Sequence, residues 1–247
     1  MYKKNTLSSL NKVQTILTTS VATKKDIIEQ YKIKEDKIEI AYKGVNKFFK
    51  PIDWKEKETI KEKYTEGKEY FLFTGSVNEA DNLITLLKAF SFFKKRQKSN
   101  MQLVIVIDKL PAKETFTDSL KTYKYRNEVI LVKNLPEEDR AKITAAAYAF
   151  VYPSYNEDAI STILEPMQSE VPVIISDTII FYEIAADAAL YVDPNKQEDI
   201  ADKMMLIFKD EKKRSELIEN GRQVIKQYSW NKTAAILWDA IQKAVQQ

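Results

Sequence analysis

Short apolar runs of strand length alternate with longer segments of helical periodicity over most of the chain. The runs are almost continuously apolar, which is typical of strands buried on both faces of a parallel sheet. They lie at residues 37–41, 70–75, 101–108, 128–132, 149–153, 171–176 and 189–193. This alternation predicts an α/β fold in which right-handed crossovers place helices on both faces of a parallel sheet.

The clearest helical segment repeats Leu and Phe at helical spacing within residues 83–93. The basic run at 94–98 ends this segment, where cations favour the helix dipole, and we expect it to face water. From about residue 196 the strand signals stop. Two or three helices are therefore predicted to close the chain, and Ser229 is a candidate N-cap for the last of them.

The composition removes several kinds of chemistry. The 247 residues contain no Cys and no His, which excludes disulfides, thiolate nucleophiles, Ser-His-Asp triads and imidazole metal ligands. Acid or base groups must then come from Asp, Glu, Lys, Tyr or the substrate. The 39 basic and 36 acidic residues give a net charge of +3, which does not indicate a nucleic-acid partner.

No stretch of the sequence approaches the ~20 apolar residues of a membrane span. The first residues, MYKKNTLSSLNKVQ, also lack the apolar block of a signal peptide. We therefore predict a cytoplasmic protein. Peripheral contact with the inner face of a membrane, through Lys-rich faces, stays open.

The first candidate site is the stretch FLFTGSVNEADNLITLLKAF. A strand ends at Gly75, a short loop follows, and a helix begins near Asp81 or Asn82. Glycine permits close backbone approach, and the unpaired N–H groups of a helix N-terminus suit a phosphate. The alternative is an ordinary turn in which Asn78 or Asp81 caps the helix.

The second candidate site pairs Glu157 with Glu165, which follow the strand at 149–153. Eight residues of helix separate two positions by up to ~12 Å, more than the ~5–9.5 Å between paired glycosidase carboxylates. The spacing favours two contacts with different parts of an elongated ligand. The alternative is a solvated loop acid at Glu157 and a surface helix residue at Glu165. A third stretch, YKGV at 42–45, is a weak signal by itself.

Five segments, in order, resemble the C-terminal half of family 4 glycosyltransferases. Lys43 to Asn46 are similar to the N-G-V-D turn of that family, and FLFTGSVNEADNLITLLKAF is similar to its glycine loop followed by K-N and a leucine-rich helix. The run AFVYPSYNEDAISTILEPMQSEVPVI resembles its A-F-V-x-P-S, E-G-F-G-L-x-x-x-E-A-M and G-x-P-V-I elements. YEIAADAALYVDP resembles the P-E-V-x-G-D-A-A-L-x-V-D-P element of the family, and YSWNKTA resembles its F-S-W-x-x-x-A element.

The resemblance implies the GT-B fold, in which two Rossmann-like domains face each other, and it covers nearly the whole chain. It assigns residues 1–24 to the end of an N-terminal domain and the crossing from it. Residues 25–228 become a Rossmann-like nucleotide-sugar domain, and 229–247 become a C-terminal crossover helix. The N-terminal domain, which would supply the acceptor site, is expected in the same or another chain.

The resemblance also implies a hexosyltransferase that uses a nucleotide-sugar donor, retains configuration, and needs no metal and no cofactor. Glu157 would lie at the donor sugar as the catalytic residue, Glu165 would hold the ribose hydroxyls, and Gly75 with Ser76 would back the diphosphate. The full implied donor-binding set is Gly75, Ser76, Asn82, Asp158, Ala159, Ile160, Ser161 and Glu165. The acceptor is unknown, and a bacterial-type surface glycan is the expected product.

The sequence departs from the family at the donor loops. Ser76 and Asp81 stand where the family commonly has Arg and Lys, whose charges normally neutralise the diphosphate. Both glycines of the E-G-F-G-L loop are replaced within Asp158–Ser161. Two alternatives to the transferase therefore stay open. One is a degenerate domain that serves as a binding or assembly partner, and the other is a sugar-nucleotide epimerase.

Overall fold

The computed structural model of the protein describes residues 9–75, 82–107, 115–156 and 160–245, apart from the side chains at 115 and 117. These residues form two compact units. The first unit joins the residues up to Val45 with those from Lys226 onward, and the second runs from Asn46 to Ile225. The predicted domain boundaries at 24 and 228 stay predictions.

Eight strands and ten helices of these ranges position the features described below. The strands are β1 (Ile16–Thr18), β2 (Ile38–Ile40), β3 (Tyr70–Gly75), β4 (Gln102–Ile107), β5 (Val129–Lys133), β6 (Ala149–Tyr152), β7 (Val173–Ser176) and β8 (Ala189–Val192). The helices are α1 (Val21–Tyr31), α2 (Trp54–Thr65), α3 (Leu83–Gln97), α4 (Thr115–Thr122), α5 (Glu137–Ala145), α6 (Ile160–Gln168), α7 (Ile179–Ala185), α8 (Gln197–Lys209), α9 (Glu211–Ile225) and α10 (Trp230–Val245).

In the first unit, β1 and β2 pair in parallel and α1 packs beside them. Ser20 begins α1 because its Oγ accepts a hydrogen bond from the Thr23 N–H at 3.0 Å, which satisfies one of the free donors of the first turn. Ile16, Ile33 and Ile38 form the small buried core. The apolar run predicted at 37–41 therefore belongs to a separate two-stranded sheet and not to the main one.

The second unit is built on a six-stranded parallel sheet in the order β5-β4-β3-β6-β7-β8. Strands β4, β6 and β7 are buried along their whole length and β3 is buried up to Thr74, as the apolar runs predict. Tyr70 shows how polar atoms are accommodated there: its hydroxyl donates to the Ile143 carbonyl oxygen at 2.6 Å. If these six strands are renumbered 1 to 6 in chain order, their order across the sheet is 3-2-1-4-5-6, which is that of the Rossmann fold. The strand order therefore reverses between β3 and β6. The predicted α/β fold is confirmed.

The predicted helix over 83–93 is confirmed as part of α3. Its buried Leu and Phe positions are Leu83, Leu86, Leu87, Phe90 and Phe93, whereas Phe92 is half-buried. The prediction that the run at 94–98 faces water is wrong for Lys94. Its side chain is buried, donates to the carbonyl oxygen of Met101 at 3.0 Å and pairs with Glu128. Lys94 thus ties the end of α3 to the chain that follows it and to Glu128, just before β5.

The helical C-terminus is confirmed, and α10 begins at Trp230, directly after Ser229. Gly44 lies so close to this helix that a Cβ built on it would be 2.3 Å from the Trp230 backbone nitrogen. A larger residue at position 44 would therefore displace backbone. Across the described ranges, no helix combines the length and the apolar character needed to cross a membrane.

Candidate functional site

Sheets of this type bind ligands in a crevice beyond the carboxyl ends of the two strands at which the order reverses, which here are β3 and β6. Gly75 ends β3 there. A Cβ at this position would lie 3.0 Å from the Phe73 ring and 3.6 Å from the Tyr152 ring. The absence of a side chain thus serves tight packing against two aromatic rings, in addition to any approach of a ligand.

Residues 153–156, which follow β6, are held in place by hydrogen bonds to residues at or beyond the ends of neighbouring strands. The Ser176 hydroxyl at the end of β7 donates to the Ser154 carbonyl oxygen at 2.8 Å. The Tyr155 hydroxyl donates to Oδ1 of Asn195, beyond β8, at 2.7 Å. These bonds fix the chain as it leaves the sheet toward the crevice.

Asn82 joins the same segment to the start of α3. Its side-chain amide donates to the carbonyl oxygens of Pro153, at 3.1 Å, and Pro194, at 2.5 Å. Its backbone is left-handed, with φ of 56°, which Asn tolerates better than most residues. The structure therefore gives Asn82 a bracing position between three loops, and its proposed contact with a donor stays a prediction.

Replacing Asn82 by Ala is expected to lower the free energy of unfolding by about 2 kcal/mol, from two lost hydrogen bonds and a left-handed Ala. The variant Asn82→Gly is the control, because it loses the same bonds without the backbone strain. Urea denaturation should place Gly between Ala and the wild type. Equal stability of Ala and the wild type would show that the amide contacts contribute nothing.

Glu165 is the buried acid of this region. It lies on α6, is 8% exposed, and Nη1 of Arg140 donates to its Oε2 at 2.9 Å. Its backbone is fixed as well, since both the N–H and the hydroxyl of Ser169 donate to its carbonyl oxygen. The structure thus contradicts the alternative that Glu165 is a surface helix residue.

Burial raises the pKa of Glu165 to about 7, because removal from water disfavours the charged carboxylate. Two charged groups on α5 also act on this pKa: Arg140 lowers it, and Glu137 raises it. A carboxyl group with a pKa near neutrality can accept or donate hydrogen bonds within the physiological range. Shifted groups of this kind are concentrated at functional sites.

Arg140 itself is held on two further sides. Its guanidinium carbon lies 5.0 Å from the centre of the buried Phe49 ring, within cation–π range. Its Nη2 lies 3.4 Å from Oε1 of Glu137. The sequence did not predict Arg140 as a site residue. The segment PEEDRAK is typical of a charged, solvated helix start in which Glu137 and Arg140 form an ordinary i,i+3 pair.

The remaining candidate residues divide into two groups. Ser76, Glu157, Asp158 and Ala159 lie outside the described residues, as does Asp81, so the predicted spacing of Glu157 and Glu165 stays a prediction. Ile160 and Ser161 begin α6. The Ile160 side chain is buried, whereas Ser161 is partly exposed, and their proposed contacts with a donor stay predictions. Over the described ranges, no three acidic side chains converge as a metal site requires.

A second groove lies beside α5 and has a volume of about 420 Å³. Basic and acidic side chains line it together with Phe48 and Ile52, and its Lys142 is paired with Glu138 at 3.3 Å and Glu56 at 3.8 Å. Because both of its carboxylates are already paired with Lys142, this groove is a weaker candidate than the crevice.

Comparison with known proteins identifies the class that this fold and crevice define. The chain has the fold of a glycosyltransferase from Rickettsia africae, with a TM-score of 0.84 and 20% identity, over 97% of this chain and 66% of that one. It also matches the C-terminal domain of a glycosyl transferase group 1 family protein from Francisella tularensis. That TM-score is 0.63 at 19% identity, over 73% of this chain and 95% of the domain. The fold is therefore the C-terminal half of a GT-B glycosyltransferase.

The family follows from the sequence match. The model of glycosyl transferases group 1 matches residues 55–224, which is most of the chain, and the protein belongs to this family. The O-antigen chain mannosyltransferase RfbU of Salmonella typhimurium is 27% identical over 190 residues, 77% of this chain and 50% of the relative. The O-antigen chain mannosyltransferase B of Escherichia coli is 25% identical over 229 residues, 92% of this chain and 60% of the relative. The chain thus spans 50–60% of the length of these relatives.

A further solved structure carries ligands. HepE of Anabaena, in complex with UDP and glucose, has a TM-score of 0.78 and 12% identity to the present chain. The match covers 92% of this chain and 62% of HepE. At this identity the likeness concerns the fold alone.

Proposed function

We propose that the protein provides the donor-binding half of a glycosyltransferase that moves a hexosyl group from a nucleotide sugar to an acceptor. The observation that carries the proposal is the buried carboxylate of Glu165, on the helix that follows β6 in the Rossmann-type sheet of a member of this family. A carboxylate is an acceptor suited to the paired hydroxyls of a ribose. The complex of HepE with UDP and glucose, on the same fold, supports a nucleotide sugar as the ligand.

The proposed reaction retains configuration and uses no metal, with Glu157 at the donor sugar. The relatives named as O-antigen chain mannosyltransferases favour a mannosyl group, as in GDP-mannose, and a HepE complex with UDP-glucose favours that compound as a second donor to test. The proposed location is the cytoplasm, and contact with the inner face of a membrane is an alternative. The acceptor is unassigned.

We further propose that an N-terminal Rossmann-like domain, in the same or another chain, completes the acceptor side. Support comes from the first unit. A two-stranded parallel sheet is marginal in water and normally continues into further strands. The unit also exposes large apolar side chains, namely Val13, Leu17, Trp230, Leu237, Trp238, Ile241 and Val245. Such a surface suits a protein partner.

Calorimetric titration with UDP, GDP, ADP, UDP-glucose and GDP-mannose tests the donor proposal. One nucleotide and its sugar should bind, and Glu165→Gln should weaken binding by about 10- to 100-fold, the value of a hydrogen bond to a charged group. Glu216→Gln, which changes an exposed acid on α9 paired with Lys213, is the matched control. Titration in EDTA and in Mg²⁺ should give the same affinity.

Failure to bind any of these compounds at millimolar concentration, by a folded chain, would contradict the donor proposal. That result would favour the degenerate domain that acts as an assembly partner. Binding that Glu165→Gln leaves unchanged would separate nucleotide recognition from this carboxylate and move the site elsewhere on the sheet.

A further inference from the structure

We propose that Arg140 is a positioning residue of the nucleotide site, which orients the Glu165 carboxylate through Oε2 and leaves Oε1 to accept a ligand hydroxyl. The inference rests on the proposed function. It assigns a role in ligand binding to a side chain that would not itself touch the nucleotide.

The geometry supports orientation rather than simple charge neutralisation. The hydrogen bond from Nη1 to Oε2, at 2.9 Å, joins α5 to α6 across 25 residues of sequence. Guanidinium–carboxylate bonds are both strong and directional. Within the described ranges, Oε2 is the only carboxylate oxygen of Glu165 that a hydrogen bond engages. The two oxygens of one carboxylate therefore have different surroundings.

The position of the guanidinium is in turn determined by its other contacts. The Phe49 ring lies 5.0 Å from the guanidinium carbon, and the ring is fully buried, so it cannot easily move away. Glu137 contacts the opposite nitrogen, Nη2. Lys in place of Arg would keep the charge but lose the planar fork that makes both contacts at once.

The same contact controls whether Glu165 is ionised at neutral pH. Its pKa is raised to about 7 by burial even though Arg140 lowers it. Glu137, also on α5, raises it. Helices α7 and α9, which also pack against α6, add no charge that acts on this carboxyl among the described residues. Without Arg140 both remaining influences favour the neutral acid, so the pKa would rise further.

The pH dependence of nucleotide affinity separates this role from a merely structural one. The affinity of the wild type for the nucleotide that binds should increase with pH around 7, as Glu165 ionises. In Arg140→Met the midpoint should move up by about one pH unit, the smaller end of the effect of a nearby opposite charge. At pH 7 the fraction of ionised carboxylate then falls, and the apparent Kd should rise about fivefold.

Arg214→Met is the matched control. Arg214 also lies over an aromatic ring, that of Tyr148 at 4.7 Å, and also pairs with the Glu three residues before it, Glu211 at 3.0 Å. It makes no contact with Glu165 in the described structure. This variant should keep the midpoint of the wild type. Arg140→Lys should give an intermediate shift and provides a second variant if the Met variant fails to fold.

A measurement without ligand completes the test. The carboxyl carbon of Glu165, followed by NMR in the ligand-free chain, should titrate at higher pH in Arg140→Met. Nucleotide binding with an unchanged midpoint, or an unchanged carboxyl titration, overturns the inference and leaves the proposed function standing. A wild type that binds none of UDP, GDP, ADP or their sugars overturns the proposed function and the inference with it.

Discussion

Replacing Arg140 by Met is expected to lower the free energy of unfolding by about 2–3 kcal/mol at pH 8 and by about 1 kcal/mol less at pH 5. Removing one partner of a buried ion pair leaves the other charge without compensation. This loss of stability is at or below the lower end of the range usual for breaking a buried ion pair. The reason is that the pair is only partly buried: the Arg140 side chain is 26% exposed, and that of Glu165 is 11% exposed.

The sign of the pH dependence follows from the carboxyl group. Folding raises the pKa of Glu165 from 4.5 to about 7, so the unfolded chain binds fewer protons between these values and stability falls as pH rises through them. At pH 5 the buried carboxyl is neutral, and losing Arg140 removes one hydrogen bond. At pH 8 it must stay charged without a partner or keep its proton at a free-energy cost, so the variant loses more.

Urea denaturation at both pH values, for both single variants and the double variant, measures this effect as a cycle. In the Glu165→Gln background the pH dependence of Arg140→Met should vanish, since Gln does not titrate. Arg214→Met should lose stability equally at the two pH values. An Arg140→Met effect that is the same at pH 5 and pH 8 would mean that the pair is already solvated in the wild type.

Gly44→Ala is expected to destabilise the first unit by about 2–3 kcal/mol, whereas Gly221→Ala is expected to stabilise the second by about 0.5–1 kcal/mol. The chemical change is the same, and the surroundings differ. At Gly44 the new Cβ would lie 2.3 Å from the Trp230 backbone nitrogen and 2.7 Å from Cγ of its side chain. At Gly221, inside α9, the nearest atoms belong to Met167 at 4.0 Å.

Hydrogen exchange distinguishes the two glycine variants by region, because Gly44 and Gly221 lie in different compact units. Gly44→Ala should reduce the protection of amides in α10, whose start must shift to admit the methyl group. That shift would also weaken the hydrogen bond from the Thr233 hydroxyl to the Tyr42 carbonyl oxygen. Gly221→Ala should raise protection in α9. Unchanged protection in α10 would show that the chain around Gly44 can move without cost.

The main sheet was predictable because its strands are buried on both faces. Such strands require nearly continuous apolar sequence, and β3 coincides with the predicted run 70–75. The pairing of β2 with β1 was not predictable from apolar pattern, since a three-residue strand such as β1 carries almost no periodic signal. The burial of Lys94 was not predicted either. The sequence does not distinguish a lysine near a helix end that contacts carbonyl groups from one that faces water.

The candidate site was predictable in part. Glu165 was found because its neighbours match a family pattern, and the position of Gly75 was found at the end of a strand. The burial of Glu165, and its partner Arg140, could not be read from sequence. The two residues are 25 positions apart on different helices. The local sequence around each of them gives no indication that they pair.

The sequence by itself determined the α/β class, the helical end, the family pattern and the absence of histidine and cysteine chemistry. These properties depend on residue type and short-range spacing, which are present in the chain before it folds. Only the tertiary structure decided the strand order with its reversal between β3 and β6, the bracing of the crevice by Asn82, and the ionisation of Glu165 near pH 7. These depend on contacts between distant residues and on exclusion of water, which exist only once the helices have packed on the sheet.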